Sequence, residues 1–191
     1  NKIMKKLMIA LAAMMLLTSA AKAQTITAET VLNIYLEAVQ SNSKEFAYNA
    51  DISDGIVTAQ YIYAKQQQGM KGQVMLTPQL KHCYNYDTDG RLTCRTTYLW
   101  NEYNNDWQTC YQLTYSYTDT QNIVECSRWS TLANRFLAPN ERMVYEADPF
   151  GTEGIVSNYH RKNGKQDYVL TSTLSVAGDM LLGNKLLTTH P

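Results

Sequence analysis

The stretch Tyr84-Asn85-Tyr86-Asp87-Thr88-Asp89-Gly90-Arg91-Leu92-Thr93-Cys94-Arg95-Thr96-Thr97-Tyr98-Leu99-Trp100 decides the fold. Its centre is turn chemistry. Asp87 can accept a local hydrogen bond, and Gly90 tolerates a positive φ at no steric cost. On either side, β-branched and aromatic residues alternate with polar ones, as in half-buried strands joined by a tight connection. Strict alternation from Leu92 places Leu92, Cys94, Thr96, Tyr98 and Trp100 on the more apolar face, with Thr93, Arg95, Thr97 and Leu99 opposite.

Working outward, Asn101-Glu102-Tyr103-Asn104-Asn105-Asp106 reads as a second turn, because asparagine accepts left-handed backbone positions. The strand after it, read with the same strict alternation, puts Trp107, Thr109, Tyr111, Leu113, Tyr115 and Tyr117 on one face. The tyrosine that opens the unit returns at Tyr115 and, in a more divergent copy, at Tyr145, with steps of 31 and 30 residues. Fourteen residues after each stands a second ring, Tyr98, Trp129 or Tyr159, and a third column follows as Trp107, Phe136 and Tyr168. Tyr48, Gly55-Ile56 and Tyr61 form a fainter preceding copy. A unit that recurs at this spacing and holds two strands extends into a meander with aromatic columns stacked across it. The expected fold is all-β, an antiparallel meander of repeated β-hairpins, with a short N-terminal helix after a signal peptide.

That helix is expected over Thr27–Val39, where Thr27 supplies a cap and Glu29 lies in the first turn. Upstream, Lys2, Lys5 and Lys6 precede an apolar run from Leu7 to Leu17 and the small-residue end Ala21-Lys22-Ala23, the layout of a secretory signal peptide cleaved before Gln24. The run is short of the ~20 residues a bilayer core requires. The expected organisation is therefore a signal peptide over 1–23, a helical cap segment over 24–47, and a tyrosine-rich β-repeat domain over 48–191. The tail from Tyr168 reads as a last strand, a turn at Gly178-Asp179 and a further apolar segment.

The whole chain has 17 basic and 17 acidic residues; without the four lysines of the signal segment, 13 basic residues face 17 acidic ones, a balance of −4. No cluster of Lys and Arg marks a groove for phosphate backbones, so nucleic acid is not an expected partner. Membrane insertion is not expected after cleavage, and the chain should act in the periplasm or outside the cell. Cys83, Cys94, Cys110 and Cys126 contain no Cys-x-x-Cys pair, which argues against zinc and thioredoxin-like chemistry. In an oxidising compartment, Cys83, Cys110 and Cys126 are the disulfide candidates, since the alternation puts them on the more polar face and Cys94 on the aromatic one.

The motif Tyr84-x-Tyr86-Asp87-x-x-Gly90-Arg91-Leu92, with Tyr98-x-Trp100 and Trp107 after it, resembles secreted tyrosine-rich repeat proteins of gut Bacteroidetes. Among these it is most similar to the family called domain of unknown function 3836, over about Tyr48 to Tyr168. The resemblance implies an exported β-repeat architecture and no particular activity. The same motif is similar to single units of the YD repeats of bacterial toxin shells.

No catalytic pattern stands out. His82 and Cys83 are adjacent on a strand and so point to opposite faces, and Asp87 and Asp89 lack the rest of a calcium loop. No cofactor and no metal are expected. The positive signal is the aromatic stripe: Tyr98, Trp100, Trp107, Tyr111 and Trp129 are candidates for a platform on which a glycan or peptide stacks, unless the same rings form the core of the sheet. The expected function is a non-enzymatic binding or structural module. An exported hydrolase acting on glycans or peptidoglycan is the alternative, and self-association through open sheet edges is a third expectation.

Overall fold

A computed structural model describes residues 25–68, 73–147, 153–162 and 167–177. The expected signal peptide over 1–23, the expected turn at Gly178-Asp179 and the expected apolar segment after it lie outside the described residues. The one described helix, α1 (Ala28–Gln40), starts where its cap dictates. Thr27 is extended, its hydroxyl accepts from the Thr30 amide at 3.3 Å, and the Thr30 hydroxyl accepts in return from the Thr27 amide at 3.3 Å. Two amides that no helical turn could satisfy are thereby paired. Helix α1 buries Val31 and packs against the first two strands. No helix among the described residues is long and apolar enough to cross a membrane.

Among the described residues ten strands follow: β1 (Phe46–Ser53), β2 (Ile56–Gln68), β3 (Gln73–Tyr86), β4 (Leu92–Asn101), β5 (Asp106–Tyr117), β6 (Gln121–Ser130), β7 (Arg135–Phe136), β8 (Glu141–Ala147), β9 (Glu153–His160) and β10 (Val169–Ala177). Their order is β1-β2-β3-β4-β5-β6-β8-β9-β10, with the two-residue β7 beside β6. The fold is thus an antiparallel meander with an N-terminal helix, as the sequence predicts. The chain divides into two compact units: Ile26–Tyr115 with Cys126–Pro139, and Ser116–Glu125 with the strands after Asn140.

The turns are where local chemistry puts them. Gly90 has φ +73°, its amide donates to the Asp87 carbonyl, and the Asp87 carboxylate accepts from the amides of Asp89 and Arg91. These bonds hold the Asp87 carboxyl below its usual range, with the Arg91 amide the largest contributor. The segment before α1 clamps this turn, because the Leu92 amide donates to the Ile26 carbonyl at 2.8 Å and the Ala28 amide to the Gly90 carbonyl at 2.9 Å. In the β4–β5 turn Asn105 has φ +56°, and the Asn101 side chain accepts from the amides of Tyr103 and Asn104.

Along β4 and β5, strict alternation fails at two residues. Asn85 is opposite Cys94 but Tyr86 is opposite Leu92, so Thr93 has no partner; Thr97 is opposite Tyr111 but Tyr98 is opposite Thr109, so Cys110 has none. Each extra residue is a β-bulge, and each swaps the faces of everything beyond it. In β4 the buried residues are therefore Leu92, Arg95 and Thr97, not the series Cys94, Thr96, Tyr98 and Trp100 that alternation from Leu92 gives. In β5, Trp107 and Thr109 lie on the face opposite Tyr111 and Leu113, contrary to the single face expected.

Candidate ligand-binding face

The bulges sort the aromatic residues of the larger unit onto two faces. On the inner face, His82 and Tyr84 of β3 stand beside Thr97 and Arg95 of β4, which stand beside Tyr111 and Leu113 of β5; all are less than one-tenth exposed. Tyr84 donates its hydroxyl proton to Oε1 of buried Gln60 at 2.9 Å, and burial pushes its own ionisation up to about 12. The His82 ring, Nδ1 at 2.9 Å from the Thr97 hydroxyl, is held well below the ordinary histidine value by burial and then by Arg95. Burial likewise pushes up the hydroxyls of Tyr111 and Tyr115. Of the five platform candidates, Tyr111 is thus a core residue and is removed from the site.

The outer face carries Tyr98, Trp100 and Trp107, all half-buried. Trp100 and Trp107 are direct cross-strand partners, and their rings meet edge-to-face, centroids 5.0 Å apart at 68°. Such pairs are worth ~0.5–1.5 kcal/mol beyond the area they bury, which fixes the rings before any ligand arrives. Trp107 also meets Tyr61 of β2 at 6.2 Å. Two strands intervene, so the rings lean toward each other over β3 and β4. The residues beneath are Lys81, opposite both Tyr61 and Tyr98 in the register, and Tyr98 itself. The Lys81 ammonium stands 5.3 Å from the Tyr61 ring centre and 5.9 Å from that of Tyr98, within cation–π range. The Tyr61 hydroxyl donates to Asp51 Oδ2 at 2.9 Å; that bond, then burial, raises its ionisation to about 12. At the tip of the same β4–β5 hairpin, Tyr103 is 96% exposed.

The result is four partly exposed rings in fixed mutual geometry with one cation and one carboxylate among them. Apolar faces of a ligand can stack on the indoles and phenols, while Lys81 and Asp51 supply polar ends. Trp129 stands apart from this arrangement in its contacts, packing edge-on against Phe136 at 4.9 Å. Tyr61, Lys81 and Asp51 join this candidate face without being singled out by the sequence motif; Tyr61 shows in sequence only as part of the faint first copy.

In the other unit, the third-column ring Tyr168 is locked into an ionic cluster. Its hydroxyl donates to Glu125 Oε1 at 2.9 Å, and the guanidinium groups of Arg142 and Arg161 lie 4.0 and 4.5 Å from its ring centre. Arg142 also donates to Glu125 through Nε and Nη2.

A family model described as a family of unknown function, DUF3836, matches residues 4–147. The chain belongs to the DUF3836 family. This DUF3836 chain is also similar to a crystal structure of a protein with unknown function from Bacteroides fragilis, with 25% identity and TM-score 0.59 over 72% of this chain and 96% of that one. Crystal structures of DUF3836 proteins from Bacteroides vulgatus (26% identity, TM-score 0.43, 49% of this chain and 89% of that one) and Parabacteroides distasonis (20%, 0.46, 55% and 92%) are similar over smaller parts. No curated protein matches.

The cysteines of the DUF3836 chain do not follow the sequence expectation. No disulfide joins the four: Cys83 and Cys94 share the outer face, Cys110 is the bulge residue of β5, and Cys126 is buried at 3% exposure. Cys83, Cys110 and Cys126 therefore do not lie together on one polar face, and Cys94 is not a core residue. The same bulges that reassign the rings reassign the thiols. Burial raises the ionisation of Cys83, Cys94 and Cys110. Thiols shifted in that direction are poor nucleophiles. His82 faces the core and Cys83 the outside, so the pair cannot act together. Among the described residues, no group of three or more His, Cys, Asp or Glu side chains could hold a metal ion.

Proposed function

We propose that this DUF3836 chain is an exported, non-enzymatic binding module whose outer face captures glycans by stacking sugar rings on Tyr61, Tyr98, Trp100 and Trp107. The observation that carries the reading is the separation of the rings by face. Tyr84, Tyr111 and Tyr115 account for the core on the inner face, whereas the Trp100–Trp107–Tyr61 group remains partly exposed with Lys81 and Asp51 beside it. Core packing alone does not require tryptophans on the more exposed side of a sheet. Rigid amphipathic rings with a few convergent polar groups suit a sugar, which offers C–H faces and hydroxyl edges together.

Export is supported by the Lys2–Ala23 layout of the sequence. The chain is further read as three copies of a two-strand unit: the lead residues Tyr84, Tyr115 and Tyr145 are all buried, and the second-column rings Tyr98, Trp129 and Tyr159 are all half-buried.

A panel of host and bacterial glycans, with mucin and unrelated peptides in parallel, tests the assignment by isothermal titration of the mature protein. Glycan binding lost in Trp107→Ala, with the fold intact by circular dichroism, is the expected result. Peptide binding alone would replace the glycan assignment; binding that survives Trp100→Ala/Trp107→Ala would move the site elsewhere.

A further inference from the structure

The core of the larger unit holds a positive charge. Arg95 is 5% exposed and lies mid-strand on the inner face, with Tyr84 opposite on β3, Leu113 opposite on β5 and Tyr111 one step along the diagonal. Among the described residues no carboxylate pairs with it. A buried lysine or glutamate can shed its charge, but a guanidinium keeps its proton at every physiological pH, so the cost of burial has to be met by a partner. The neighbouring polar groups are already committed: the Tyr84 hydroxyl donates to Gln60, and His82 and Thr97 are bonded to each other.

In this unit two buried side-chain groups are left without a hydrogen-bond partner, Arg95 Nε and the Tyr111 hydroxyl. The guanidinium and the Thr97 hydroxyl each approach the Tyr111 hydroxyl closely enough for a weak, hydrogen-bond-like contact to bear on ionisation, but neither reaches the distance and angle that would give Arg95 Nε or the Tyr111 hydroxyl a formed hydrogen bond. Both orphaned groups are donors, and the register makes them diagonal neighbours on one face. The tyrosine oxygens around the guanidinium, on Tyr115, Tyr111 and Tyr84, ease its burial electrostatically. They are neutral phenols, however, and a dipole does not cancel a whole charge.

We propose that Arg95 and Tyr111 together hold a small monovalent anion, of halide or formate size, as an integral part of the core. One negative charge satisfies both orphaned donors and neutralises the guanidinium in the same step. Sulfate or phosphate would introduce a second charge and more acceptor oxygens than two donors amid aromatic rings can serve, and their dehydration is far more costly.

The test uses the mature protein exchanged into sodium gluconate, an anion too bulky for the core, and then titrated with chloride, bromide or formate at constant ionic strength. The thermal midpoint is read at each step. A saturable rise of about 5 °C or more at a hundredfold excess over Kd is expected, and the halide and formate arms tell the two sources apart. Tyr111→Phe removes one donor and should weaken the apparent affinity about tenfold. Arg95→Met, which removes the charge at similar volume, should show the same midpoint in every anion. If that variant does not fold, crystals of the unaltered protein grown in bromide decide, through an anomalous peak beside Arg95 Nε. Equal midpoints in gluconate and chloride, an anion response that survives Arg95→Met, or only a water beside Nε would overturn the assignment.

Discussion

Replacing Tyr84 by phenylalanine removes one atom and distinguishes the two faces of the sheet. Tyr84 is 8% exposed and its hydroxyl donates to Oε1 of Gln60, itself 8% exposed, at 2.9 Å. Without that hydroxyl the Gln60 oxygen stays buried with its donor gone, a penalty of about 1–3 kcal/mol. For a chain of this size, each kcal/mol lowers the melting midpoint by about 2–4 °C, so a fall of about 2–12 °C is expected. The same substitution at Tyr61 breaks a bond of equal length to Asp51, but Asp51 is exposed and water replaces the lost donor. Tyr61→Phe should stay within about 0.5 kcal/mol of the parent. Adding Gln60→Leu to Tyr84→Phe removes the stranded oxygen and should recover most of the loss, with a coupling energy of about 0.5–3 kcal/mol. Urea and thermal unfolding followed by circular dichroism measure these four proteins and the Gln60→Leu single variant that closes the cycle. A neutral Tyr84→Phe, or a Tyr61→Phe that costs as much, would refute the assignment of faces.

Four further outcomes rest on particular residues. His82 stays neutral in the fold well below its ordinary value of 6.5. The unfolded chain therefore takes up a proton that the folded one does not, and stability falls with pH below about 6.5, by up to about 1.4 kcal/mol per unit; thermal midpoints between pH 7.5 and 5 should show a shallower slope in His82→Gln. A methyl group added at Gly154 would lie 2.8 Å from both Cε2 and Oη of buried Tyr145, so Gly154→Ala should destabilise by about 1–3 kcal/mol in urea unfolding. At Gly90, where nothing lies within 4 Å, alanine should cost about 1 kcal/mol through its positive φ alone. Thr27→Ala removes the reciprocal cap of α1 and should cost about 1 kcal/mol, read as a drop in thermal midpoint.

What could be read from the sequence was local. The cap at Thr27, the Asp87–Gly90 turn and the asparagine turn before Trp107 each depend on residues a few positions apart, and the structure has all three. The meander follows from those turns and the length of the runs between them. Face assignment is not local: it depends on whether every residue of one strand has a partner on the next. Thr93 and Cys110 do not, and nothing in their own chemistry announces it, because threonine and cysteine are ordinary strand residues. Two single-residue bulges therefore moved Arg95 and Thr97 inward, removed Tyr111 from the platform and left Trp100 and Trp107 paired outside. Lys81 and Asp51 were illegible as site residues for a related reason: they reach Tyr61 and Tyr98 across strands, and no spacing in the chain encodes that meeting.

The most direct test of the proposed binding face is the tryptophan emission of the protein during titration with glycans, since two of its three tryptophans, Trp100 and Trp107, lie in that face. A saturable change in emission is expected with at least one glycan, abolished in Trp107→Ala and retained in Trp129→Phe, with both variants folded by circular dichroism. An emission spectrum unchanged by every glycan, or a response lost in Trp129→Phe and kept in Trp107→Ala, would contradict the glycan-binding face.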